Sequence, residues 1–68
     1  MAVTVNDITQ IKAGKMKSFI CDSPRQAKSG QSTVSYVKKF CRDKMPDGVI
    51  DYDTTIEGSV LTVMAVKG

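Results

Sequence analysis

Cys21 and Cys41 are the strongest nucleophiles in this 68-residue chain, and the chain has no His to activate either of them. Without an imidazole the Cys–His and Ser–His routes to a covalent intermediate are closed, as is the acid–base work a histidine does near neutral pH. Two Cys and no His also fall short of the four ligands of a tetrahedral zinc site. Carboxylates remain. Asp51 and Asp53 are two apart, so on a strand they share one face. That spacing fits the wet side of an amphipathic hairpin strand, and on an edge strand such charges discourage edge-to-edge pairing. Lys28-Ser29-Gly30-Gln31-Ser32-Thr33 resembles a phosphate-binding loop in composition only, because Gln31 stands where the Gly-Lys-Ser/Thr core needs Lys. A chain this short also offers little room for a walled pocket. The expectation is a protein that is not an enzyme, with no cofactor and no metal.

The charges are segregated. Residues 1–44 hold nine of the ten Lys and Arg and three of the seven acids, while residues 45–68 hold Lys67 against Asp47, Asp51, Asp53 and Glu57. The first part is therefore +6 and the second −3, within a net charge of +3. On a helical projection Arg25, Lys28, Ser32, Ser35, Lys39 and Arg42 lie opposite the apolar positions, with Tyr36 at the edge of that basic face. Such a face is what a solvated surface helix carries, and it is also the arrangement that contacts a phosphate backbone. Lys15 and Lys17 would extend it if they point away from the core. The chain has four aromatic residues, and no strand carries the paired aromatics of a base-stacking platform.

These residues must be positioned by a small number of elements. Ser23-Pro24-Arg25-Gln26 starts the main helix: Ser caps the free N–H groups, Pro fits the first helical position, and Gln occupies the capping-box position. Ala27, Gly30, Val34, Val37 and Cys41 then recur every three or four residues as the buried face, flanked by Phe40 and Met45. The pattern runs to Met45 and stops at Pro46-Asp47-Gly48. Ser29-Gly30 is its weak link, since an interior Gly costs about 0.5–1 kcal/mol relative to Ala. A frayed or kinked first half is expected, with the firm helix starting near Ser32. One use for Gly30 is close approach to a sheet.

Upstream, Thr4 and Asp7 sit at cap and third position of a short helix over residues 5–11, ended by Gly14. A strand over Ala2 to Val5 is the competing reading. Lys15 to Cys21 reads as the first strand. Val49 to Ile56 alternates, with Ile50, Tyr52, Thr54 and Ile56 on one side, and Val60 to Val66 is rich in β-branched residues. Glu57-Gly58 is expected to form a tight turn between them. The fold class that follows is α+β: a short N-terminal helix, then β-α-β-β. One main helix packs on one face of a three-stranded antiparallel sheet whose centre is the third strand.

Sixty-eight residues make one domain, spanning 1–68, which buries roughly 60% of its unfolded surface. A main helix from Pro24 to Cys41 spans about 26 Å, with Cys21 just before it and Cys41 near its far end, too far apart for a disulfide. Both therefore read as reduced residues of a cytoplasmic protein. No apolar run reaches the length of a membrane span, and the start lacks a signal-peptide pattern. In size, helix-on-sheet pattern and lack of chemistry the chain resembles many short open reading frames of phages and mobile elements. That resemblance implies an inhibitor or accessory role and transfers no residues. The expected function is a protein-interaction module, monomeric or weakly dimeric, with no membrane. The alternative is a nucleic-acid-binding module using the outer helix face, Arg25, Lys28, Ser32, Tyr36, Lys39 and Arg42.

Overall fold

The computed structural model describes residues 3–68. Its elements are α1 (Val5–Thr9), β1 (Met16–Ile20), α2 (Pro24–Phe40), a 3-10 turn (Arg42–Lys44), β2 (Val49–Glu57) and β3 (Val60–Lys67). The sheet order is β1-β3-β2 and both pairings are antiparallel. The fold class and the central place of β3 are as the sequence predicts.

α1 begins where a capping box sets it. The Thr4 hydroxyl accepts from the Asp7 N–H, and the Asp7 carboxylate accepts from the Thr4 N–H at 2.9 Å. That cap starts a helix at Val5, so the competing strand is not formed by Val3 to Val5; Ala2 lies outside the described residues. The helix ends at Thr9, earlier than residue 11, but the Ile11 N–H reaches back to the Ile8 carbonyl and Ile11 is buried. Gly14 then takes a φ of +77° and donates its N–H to Ala65.

α2 opens as expected, with the Ser23 hydroxyl accepting from the Gln26 N–H at 3.3 Å and Pro24 in the first turn. Gln26 reaches back one residue further than a capping box does, to the Asp22 N–H. The expected break at Ser29-Gly30 does not occur: the helix is continuous from Pro24. Ala27, Gly30, Val34 and Val37 are all buried, and packing of such a stripe outweighs a propensity penalty of about 1 kcal/mol. A Cβ on Gly30 would lie 2.6 Å from Leu61 Cδ2 and 3.0 Å from Val3 Cγ2. The residue that weakens the helix locally is what lets it approach the sheet.

Three readings are corrected. The main helix stops at Phe40 rather than Met45. Pro46 forces Met45 into an extended conformation (φ −67°, ψ 139°), and helical continuation past Cys41 would place Lys44 at the next buried position. Ile50 does not share a face with Tyr52. A bulge sets Val49 opposite Lys67 and Asp51 opposite Val66, so Ile50 is the extra residue and is 54% exposed, while Val49 packs on the core. The hairpin turn is Gly58-Ser59, because Glu57 still pairs with Val60. Gly58 has φ +61° and Ser59 no positive φ, the pattern of a type II′ turn with Gly at its first central position.

The core lies on one face of the sheet. Phe19, Tyr52, Leu61, Val63 and Ala65 project toward Ile8, Ile11, Ala27, Val34 and Val37. Cys21 and Cys41 are free, buried thiols at the two ends of α2. No helix among the described residues is long and apolar enough to cross a membrane.

Candidate interaction site

Alternation along the strands gives the sheet two unlike faces. Odd residues of β3 point into the core and even ones away from it, and no described helix packs over the even side. Three rows cross this open face in register. Met16, Met64 and Asp53 form one; Ser18, Thr62 and Thr55 the next; Ile20, Val60 and Glu57 the third. The middle row is hydroxylic, with Ser18 Oγ and Thr62 Oγ1 hydrogen-bonded at 2.9 Å. Each outer row runs from apolar on β1 and β3 to a carboxylate on β2. Met16 is 64% exposed, Ile20 76% and Met64 39%.

The two edges of the sheet differ as much as the faces. Along the first half of β2 the outward backbone groups of Ile50 and Tyr52 are covered by side chains. Lys38 Nζ donates to the Tyr52 carbonyl at 3.3 Å and Arg42 Nη2 to the Ile50 carbonyl at 3.4 Å. The Tyr52 N–H donates to Asp51 Oδ1 at 2.8 Å, and Lys38 pairs with that same carboxylate at 3.3 Å. The Tyr52 N–H, and after it Lys38, holds the Asp51 carboxyl below its ordinary range. Further along, Gln31 Nε2 donates to Thr54 Oγ1. β1 carries no such cover among the described residues.

The basic face predicted for α2 is present in part. Arg25, Lys28, Ser32, Ser35, Tyr36 and Lys39 are all exposed on the helix. Arg42 is also exposed but belongs to the 3-10 turn and bends toward β2, so it leaves the helical stripe. Phe40, expected to flank the buried face, is 68% exposed and packs on Tyr36 one turn back, ring centroids 5.1 Å apart. A second basic group sits at the start of β1, where Lys12, Lys15 and Lys17 line a shallow depression with Gln10, Ile11 and Met16. Lys17 Nζ lies 5.4 Å from the Phe19 ring centroid, on the core side of the sheet at its rim.

Among the described residues no cluster of Cys, Asp or Glu is placed to hold a metal ion. The one buried side-chain polar atom without a hydrogen bond among the described residues is the Tyr52 hydroxyl, and burial raises its pKa. Sequence reasoning did not pick out the open face. The signal was there: β3 is apolar on both sides, yet one main helix covers one side only. Comparison with protein-family models, with curated proteins and with solved structures returns no match.

Proposed function

We propose that this protein is a non-enzymatic interaction module of the cytoplasm, a monomer or weak homodimer, that docks a partner protein on the open face of its sheet. The observation that carries this reading is the exposure of Met16 and Met64 as cross-strand neighbours on that face, with Ile20 beyond the Ser18–Thr62 row. Apolar side chains grouped on a surface and rimmed by charge mark interaction sites, where single exposed ones do not. The carboxylates Asp51, Asp53 and Glu57 along one margin add orientation, since a charged rim steers and registers a complementary partner. The test compares wild type with Met64→Lys, whose fold is checked by circular dichroism. A stoichiometric partner recovered from host lysate by wild type and lost with the variant supports the reading. Equal recovery by both, or none by either, overturns it.

The run of exposed Arg25, Lys28 and Lys39 beside the Tyr36–Phe40 pair favours a second reading, nucleic-acid binding on the outer face of α2. Binding of that kind weakens steeply with salt through counterion release. Lys28→Glu with Lys39→Glu should abolish it in a fluorescence titration, and absence of wild-type binding at low salt removes the reading.

A further inference from the structure

Among the described residues the outer edge of β1 is an unfilled strand position. In an antiparallel ladder, alternate residues turn their N–H and C=O groups toward the neighbour. The Cys21 N–H donates to the Ser59 carbonyl and the Lys15 carbonyl accepts from the Ala65 N–H, each at 2.9 Å. Odd residues therefore spend their groups on β3. Met16, Ser18 and Ile20 turn theirs outward, and among the described residues no side chain reaches them. On β2 the equivalent groups of Ile50 and Tyr52 are covered by Arg42, Lys38 and Asp51.

We propose that the β1 edge receives an extended acidic segment of the partner protein as a fourth strand. A strand added there alternates its side chains between two environments. On the open side it meets Met16 and Ile20. On the other side it meets Lys15 and Lys17, with Lys12 across the depression at the start of β1. Residues 8–21 contain these three lysines and no acid. The Asp7 carboxylate is bound first to Thr4, and Lys17 is the least of the influences on it. The segment that fits alternates apolar and acidic residues. The same lysines oppose a second copy, because β1 against β1 would bring two sets of three cations together, and like charges across paired strands are unfavourable.

This inference rests on the docking reading above and is tested apart from it. Full-length protein is titrated with acetyl-Val-Glu-Val-Glu-Val-Glu-amide and with the matching peptide carrying Lys for Glu, following amide hydrogen exchange by NMR. The acidic peptide should slow exchange at Met16, Ser18 and Ile20 and leave Thr54 and Ile56 on the far edge unchanged. Lys15→Glu with Lys17→Glu should lower its affinity by about tenfold or more and transfer the preference to the basic peptide. No slowing at the three amides, or equal slowing by both peptides, overturns the proposal. So does slowing without peptide that grows with protein concentration, which would assign the edge to a second copy. Partner recovery lost with Met64→Lys but kept with the double Glu variant leaves face docking standing and removes the strand addition. Peptide protection at β1 with partner recovery indifferent to Met64→Lys does the reverse.

Discussion

β2 and β1 are both edge strands of one three-stranded sheet, yet among the described residues one is covered at Ile50 and Tyr52 and the other is bare. α2 crosses the sheet so that its last turns overhang β2. From there Lys38 and, just beyond, Arg42 reach the outward carbonyls, and Asp51 takes the Tyr52 N–H. β1 lies at the other edge of the sheet, and among the described residues no α2 side chain hydrogen-bonds its outward groups. The comparison teaches that the cover of an edge is set by where a helix ends. Asp51, from the strand itself, completes the cover at Tyr52, and an edge covered over part of its length is less open to pairing than a bare one.

The comparison is broken most severely at Tyr52, the anchor of the closed side. Tyr52→Ala should cost about 3–5 kcal/mol, against under about 0.5 kcal/mol for Ile20→Ala on the bare side, read from urea unfolding. Similar losses for the two would show that the sides are not energetically distinct. Gly30→Ala comes next. The added methyl meets Leu61 and Val3, so a loss of about 1–3 kcal/mol is expected with the helix pushed off the sheet; a neutral result would mean the contact yields freely.

Tyr52→Phe sharpens the comparison in the opposite direction. Removing a buried hydroxyl that has no partner among the described residues should stabilise the protein by about 1 kcal/mol. Burial raises the folded-state pKa of Tyr52 above its ordinary 10.0. Stability from that residue is thus complete below pH 10.0 and is lost as pH rises toward the folded value, and the Phe variant should lack this alkaline loss. Lys38→Ala should cost under about 1 kcal/mol, as exposed pairs do. It should also uncover the Tyr52 carbonyl and raise concentration-dependent self-association in sedimentation. Unchanged sedimentation would mean that Lys38 does not guard the edge. The smallest effect is on the acid side. Asp51 has its folded pKa below 3.8, so its contribution is present above 3.8 and lost as pH falls through the folded value. Asp51→Asn should flatten the acid limb of the stability curve in that window; an unaltered limb would place the titration elsewhere.

Much of the fold was legible because its signals are local. Thr4 with Asp7 and Ser23 with Gln26 are caps, which read the chain within four residues, and both helices start where they say. Ala27, Gly30, Val34, Val37 and Cys41 keep one period and are all buried. Elements failed to show where neighbours decide them. Ile50 alternates correctly in sequence, and only the bulge against β3 turns it out to 54% exposure. Phe40 sits beside the buried stripe on a projection, but the helix ends at that residue. Of the candidate site, the exposure of Arg25, Lys28, Ser32, Tyr36 and Lys39 was readable from periodicity. The displacement of Arg42 toward β2 was not, because it depends on where α2 stops.

By itself the sequence determined the two helix starts, the hairpin after the main helix, the antiparallel order with β3 central, and the separation of basic from acidic segments. The helix starts and the hairpin depend on capping, periodicity and turn chemistry, which act over a few residues, and the charge split and the apolar character of β3 are read from composition. Only the tertiary structure decided that Gly30 strengthens the packing of α2, that the open face carries Met16, Ile20 and Met64 from two strands, and that among the described residues side chains cover part of one edge and none of the other. Those are properties of distant residues brought together, and a helix can cover only the ground beneath it.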